Sequence, residues 1–156
     1  MTALEAYDLT TKGGGGDFAR VIAACESFGS DCLIGGLAVN CYVEPVYTLD
    51  ADFVVFSEVL SQISTTASSD LRTQFTRDER SQPFPPRSQQ REILGVQTKV
   101  ARLEDVVQGK LWAYADSHRR LSKRKKDELD LIRLAEAYPQ IRALYPEELL
   151  DQLQGL

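Results

Sequence analysis

Residues 31–56 read DCLIGGLAVNCYVEPVYTLDADFVVF, and the two ends of this stretch decide the fold class. From Thr48 to Phe56 the side chains alternate at a period of two. Asp50, Asp52 and Val54 therefore fall on one face of a strand, and Ala51, Phe53 and Val55 on the other. Asp31 to Ile34 is a shorter apolar strand that runs into Gly35-Gly36. Leu37 to Val43 fits a brief helix stopped ahead of Pro45, because a residue before proline is pushed out of helical geometry.

Upstream, Phe18, Val21, Ile22, Cys25 and Phe28 recur at helical spacing, which predicts an amphipathic helix over 17–28 with Asp17 as its N-cap and Gly29 at its end. Gly13 to Gly16 reads as a flexible loop, since the Gly-Lys-Ser/Thr ending of a phosphate-binding P-loop is missing. Downstream, 57–70 is rich in Ser and Thr, with at most a turn or two of helix near Glu58 to Ile63. Leu71, Thr73 and Phe75 alternate as a strand, and Ser81 to Gln90, with three prolines, is an irregular loop. Short strands are expected around Ile93-Leu94 and Val96 to Val100.

From Leu103 the period changes. Leu103, Val107, Leu111 and Tyr114 predict a helix over 103–117, and Leu131, Leu134 and Tyr138 form the buried side of another over 122–137. Pro146, followed by Glu147 and Glu148, opens a short last helix. Strands followed by helices argue an α+β fold: one domain over 1–156, with a sheet-containing core over 1–102 and a helical part over 103–156.

The 156 residues carry 18 Lys and Arg against 23 Asp and Glu, a formal charge of −5. Six of the cations (Arg119, Arg120, Lys123, Arg124, Lys125, Lys126) fall within eight residues, and without them the chain stands at −11. One basic segment is thus set on an acidic body, either as a charged helix junction or as a receiver of RNA phosphates. No run approaches the roughly 20 apolar residues of a membrane helix. Met1 to Asp8 lacks the basic-then-apolar pattern of a secretory signal. Cys25, Cys32 and Cys41 have no metal-ligand spacing, and the single histidine, His118, cannot complete a zinc site with them. The expectation is a cytoplasmic protein with free, mostly buried thiols and no membrane partner.

The chemistry-bearing pattern is Gly35-Gly36 followed, after thirteen residues, by Asp50-Ala51-Asp52. Glycines between a strand and a helix let a phosphate approach the backbone. Carboxylates two apart on a strand project from one face about 6.6 Å apart along its axis and can hold hard cations such as Mg2+ through oxygen. Lys110, Asp127 and Asp130 have structural readings of their own. Lys110 flanks an apolar stripe as a solvated lysine, and Lys126 and Arg133 lie within helical reach of Asp130 for salt bridges. Trp112 and Tyr114 read as core residues.

The segment LIGGLAVNCYVEPVYTLDADFVV resembles the core of the minimal nucleotidyltransferase fold, in particular the AbiEii-like group of toxin–antitoxin nucleotidyltransferases. LEDVVQGKLWAYADSHRRLSKRKKDELDLIRL is similar to the helical segment of that group, with Lys110, Arg120, Lys126, Asp127 and Asp130 at the matching positions. The resemblance implies a magnesium-dependent transfer of a nucleotide from an NTP to a macromolecular acceptor, such as tRNA or a cognate toxin or antitoxin protein. It assigns Asp50 and Asp52 to metal and catalysis, and Gly35, Gly36, Lys110 and Lys126 to the nucleotide. The chain departs from the group where Pro45 to Thr48 lacks an arginine and where 57–70 is short. A third departure concerns the next strand, where superfamily enzymes commonly carry a third carboxylate. Asp70, Asp78 or the neutral Gln74 is the candidate for that position. The alternative is a non-catalytic protein of the same fold that binds a partner through its basic segment.

Overall fold

The computed structural model describes residues 5, 8, 14–29, 31–46, 48, 50–55 and 72–154. The reading of 57–70, including the turn of helix near Glu58, lies outside them, as does Asp70.

Helix α1 (Gly14–Phe28) starts three residues ahead of expectation. Gly14 to Gly16 form its first turn rather than a loop, and Asp17 lies inside the helix, paired with Arg20 at 2.8 Å, rather than at its N-cap. The capping acceptor is Asp8, whose Oδ1 takes the Gly15 N–H at 2.7 Å. Strand β1 (Asp31–Ile34) then leads directly into the five-residue helix α2 (Gly35–Val39).

Strand β2 (Asp50–Val55) pairs antiparallel with β1, and β3 (Arg72–Thr76) pairs parallel with β2. Strands β4 (Gln89–Ile93) and β5 (Val96–Val100) form a hairpin, with β5 parallel to β1. The result is a five-stranded mixed sheet in the order β3-β2-β1-β5-β4. Leu94 is not in a strand. With Gly95 it makes the two-residue hairpin turn, at φ 51° and 76°, because a type I′ turn requires positive φ at both central positions. The loop ahead of the hairpin is shorter than expected, since β4 already begins at Gln89; within it, Glu79–Ser81 and Pro85–Arg87 are single 3₁₀ turns.

The period-two reading of β2 explains the core. Ala51, Phe53 and Val55 are fully buried, and Phe53 meets Phe18 of α1 at 6.3 Å and Phe75 of β3 at 5.8 Å. Burial of each phenyl ring is worth roughly 2–3 kcal/mol. The opposite face carries Asp50 and Asp52.

Helices α3 (Leu103–Ala115) and α4 (Leu121–Ala137) pack against each other, with Val106, Val107, Leu131 and Leu134 buried. A 3₁₀ segment (Pro139–Leu144) and α5 (Glu147–Gln152) close the chain. Three tyrosine hydroxyls tie these layers together. Tyr42 donates to the Ala101 carbonyl at 2.8 Å, Tyr138 to the Tyr42 carbonyl at 2.8 Å, and Tyr145 to the Leu131 carbonyl at 2.6 Å. The fold is therefore α+β, a mixed sheet flanked by helices with a helical C-terminal half. Among the described residues no helix is long and apolar enough to cross a membrane.

Candidate functional site

The register of β1 on β2 sets Ile34 opposite Asp52, so the glycine turn that follows Ile34 lies against the aspartate pair. Gly35 has φ +71°, and a Cβ on it would collide with Asp52 Oδ2. A Cβ on Gly36 would come within 3.2 Å of Thr48 Oγ1. Only glycine leaves room for both contacts. That hydroxyl also receives the Asp50 N–H at 3.4 Å and Lys126 Nζ at 3.4 Å. The two halves of the Gly-Gly and Asp-x-Asp pattern are thus one packed unit.

The two carboxylates differ in their surroundings. Asp50 Oδ2 is held by Lys123 Nζ at 3.0 Å, and Arg72 lies 3.9 Å from Oδ1, which is buried and has no hydrogen-bond partner among the described residues. Asp52 makes neither a hydrogen bond nor an ion pair among the described residues, and burial, reinforced by the neighbouring Asp50, pushes its pKa up. Lys110, Lys123 and Arg119 pull it the other way. A buried oxygen without a donor and a half-buried carboxylate without a paired cation are costly in isolation. They are also the hard donors that Mg2+ takes, so the pair fits that ion.

Lys110 is not the solvated lysine its spacing suggested. Its side chain is 8% exposed and lies between Asp127 Oδ1 at 3.0 Å and Asp130 Oδ2 at 2.7 Å. Arg119 holds the other oxygen of Asp127 at 2.6 Å, and Arg133 holds Asp130 Oδ1 at 2.9 Å. Arg133 pairs with Asp130 as its spacing predicts, whereas Lys126 reaches across to Thr48 instead. The basic run is largely absorbed within the chain. Beyond Arg119, Lys123 and Lys126, Arg124 donates to the Tyr114 carbonyl at 3.1 Å and Lys125 pairs with Glu128 at 2.7 Å.

A cleft of about 780 Å³ runs from Gly35 and Asp52, past Gln74, Lys110 and Arg119, to Trp112, Phe84, Arg80 and Asp78. Gln74 stands beside Asp52 in the parallel register of β3 on β2 and lines the cleft. Asp78 lines the same cleft but is clamped by Arg80, at 2.6–3.1 Å, and this pairing lowers its pKa. Among the described residues no group of three Asp, Glu, His or Cys side chains converges as a metal site.

Trp112, half-buried and packed against the core as expected, lies parallel to Phe84 (5.8 Å, 6°) and under the Arg80 guanidinium at 4.5 Å. Tyr114 is likewise half-buried. Sequence reasoning did not assign Lys123, Arg119 or this stack. The only signal for the first two was the density of the basic run. His118 is exposed, 3.7 Å from Asp116. The cysteines are free; burial pushes the Cys25 thiol up to about 12 and Cys41 up to about 11, and raises Cys32 as well.

No family model and no curated protein matches the chain.

Proposed function

We propose that the protein is a magnesium-dependent nucleotidyltransferase that moves a nucleotide from an NTP to a macromolecular acceptor, RNA or protein, in the cytoplasm. One observation carries the reading: the unpartnered Asp52 carboxylate is packed directly on Gly35 at one end of a cleft of nucleotide size, with the orphaned Asp50 oxygen two residues before it on the same strand. Asp50 and Asp52 would hold Mg2+, which supplies charge neutralisation at the transferred phosphoryl group. Gly35, by lacking a side chain, lets the Asp52 carboxylate lie against the turn at the edge of the cleft where the triphosphate would sit. Lys126, anchored at Thr48 beside Gly36, and Lys123 provide positive charge for the departing pyrophosphate. Lys110 acts on the site through its field on Asp52. The resemblance to AbiEii-like toxin–antitoxin proteins suggests tRNA, or a cognate toxin or antitoxin protein, as acceptor.

Gln74 favours a second reading. An amide beside Asp52 can neither bind metal as a charge nor accept the acceptor's proton, as befits a non-catalytic protein of this fold acting through a partner. Because most cations of the basic segment already have partners within the chain, the transferase reading is preferred.

Titration calorimetry with ATP, GTP, CTP and UTP in Mg2+ tests it. Binding that disappears in Asp50→Ala/Asp52→Ala supports the site, and no binding of any NTP by the folded chain overturns it. Incorporation of label from α-phosphate-labelled NTP into tRNA or protein then separates transfer from binding alone.

A further inference from the structure

We propose that the far end of the cleft is a nucleobase platform, on which the base of a purine nucleotide stacks against Trp112 in the layer that Arg80 and Phe84 complete. The proposal deepens the transferase reading and rests on it for the position of the triphosphate, but its own observations are separate. Trp112 is one wall of the same cleft that holds Gly35 and Asp52. Its indole is half-buried: it packs against the core and still lines the cleft.

Two neighbours fix its plane: the nearly parallel Phe84 ring, itself 2% exposed, and the Arg80 guanidinium 4.5 Å from the ring centroid. Arg80 is in turn oriented by three hydrogen bonds to the Asp78 carboxylate at 2.6–3.1 Å. Flat aromatic and guanidinium faces held in one orientation at the end of a polar cleft are what an unpaired base stacks on. Stacking rewards ring area, which puts purines ahead of pyrimidines. The phosphate end and the aromatic end of the cleft thus match the two ends of a nucleotide.

Trp112 is the chain's single tryptophan, so its emission reports on this wall alone. The experiment titrates the full chain in Mg2+ with ATP, GTP, CTP, UTP, inorganic tripolyphosphate and adenosine, following tryptophan fluorescence and, in parallel, heat. The expected result is saturable quenching by nucleotides, stronger for ATP and GTP, and none by tripolyphosphate. Arg80→Gln should weaken ATP roughly five-fold or more while leaving tripolyphosphate unchanged.

ATP that binds by calorimetry without quenching, or quenching equal for ATP and tripolyphosphate, overturns the platform and spares the metal site. Saturable quenching by adenosine with no binding of any NTP or of tripolyphosphate upholds the platform and overturns the transferase reading. Quenching by none of the nucleotides or adenosine overturns the platform outright. Trp112→Phe, which retains a stacking ring, should restore most of the ATP affinity that Trp112→Ala loses. Equal affinity in the two variants would count against stacking.

Discussion

Replacing Lys110 with methionine tests whether that lysine is a structural cation. The substitution keeps the length and apolar stem of a side chain that is 8% exposed, and removes only the charge between Asp127 (2% exposed) and Asp130 (5% exposed). Breaking a buried pair by deleting one partner costs about 3–5 kcal/mol, because the surviving charge stays buried without compensation. Here each carboxylate retains one arginine, Arg119 at 2.6 Å and Arg133 at 2.9 Å, so the lower end applies, about 3 kcal/mol. With a urea slope of about 2 kcal/mol per molar, the unfolding midpoint should fall by about 1.5 M. Asp130→Asn in the Lys110→Met background should recover part of the loss, leaving a coupling energy of at least about 1 kcal/mol in the double-mutant cycle. A Lys110→Met midpoint within 0.3 M of the parent, a bound set by roughly the error of such fits, would refute the reasoning. If such a variant also lost NTP binding, Lys110 would serve the site, through its field on Asp52 or by direct phosphate contact, rather than as a strut.

Gly35→Ala should abolish Mg2+-dependent NTP binding and lower stability by about 1–2 kcal/mol from the positive φ alone, since its Cβ must displace the Asp52 carboxylate; unchanged binding by calorimetry would contradict the packing described. Lys123→Met should tighten Mn2+ binding, followed by electron paramagnetic resonance, about three-fold, because a half-exposed lysine 3.0 Å from Asp50 competes with the ion for that carboxylate; weaker binding would make Lys123 an organiser of the site. Asp31, 3% exposed, has its pKa raised from 3.8 to about 6 chiefly by burial, against the pull of Lys99. The folded state therefore holds this proton more tightly than the unfolded one, and stability falls as pH rises from about 4 to about 6, by a total on the order of 3 kcal/mol. Asp31→Asn should remove that slope, read as urea midpoints across the window, and a difference between variant and parent that stays constant with pH would exclude it.

The parts of the fold legible in the sequence were those set by periodicity. Alternation in 50–55 and the four- and three-residue steps in 103–114 need only local geometry, and β2 and α3 follow them. What failed locally was decided by a partner elsewhere. Gly14 to Gly16 become helical although glycine is a poor helix former, with one free N–H capped by Asp8 seven residues away. Leu94 takes positive φ because the hairpin register demands it of whichever residue stands there.

The candidate site divides along the same line. The Gly-Gly and Asp-x-Asp halves were readable as a pattern, but their contact depends on the Ile34–Asp52 register, which no local spacing encodes. Lys110 makes the point most sharply. Sequence spacing could only place it beside an apolar stripe, since the carboxylates that permit its burial lie on the next helix, 17 and 20 residues on. Yet Lys110, Asp127 and Asp130 meet in space, and the charge of Lys110 acts on Asp52. A buried lysine with two aspartates is an expensive way to join two helices, because apolar residues of the same volume would commonly hold them as well. Its use behind an unpartnered carboxylate is better understood as electrostatic. Asp127 and Asp130 hold Lys110 where its field opposes the upward push of burial and of Asp50 on the Asp52 carboxyl.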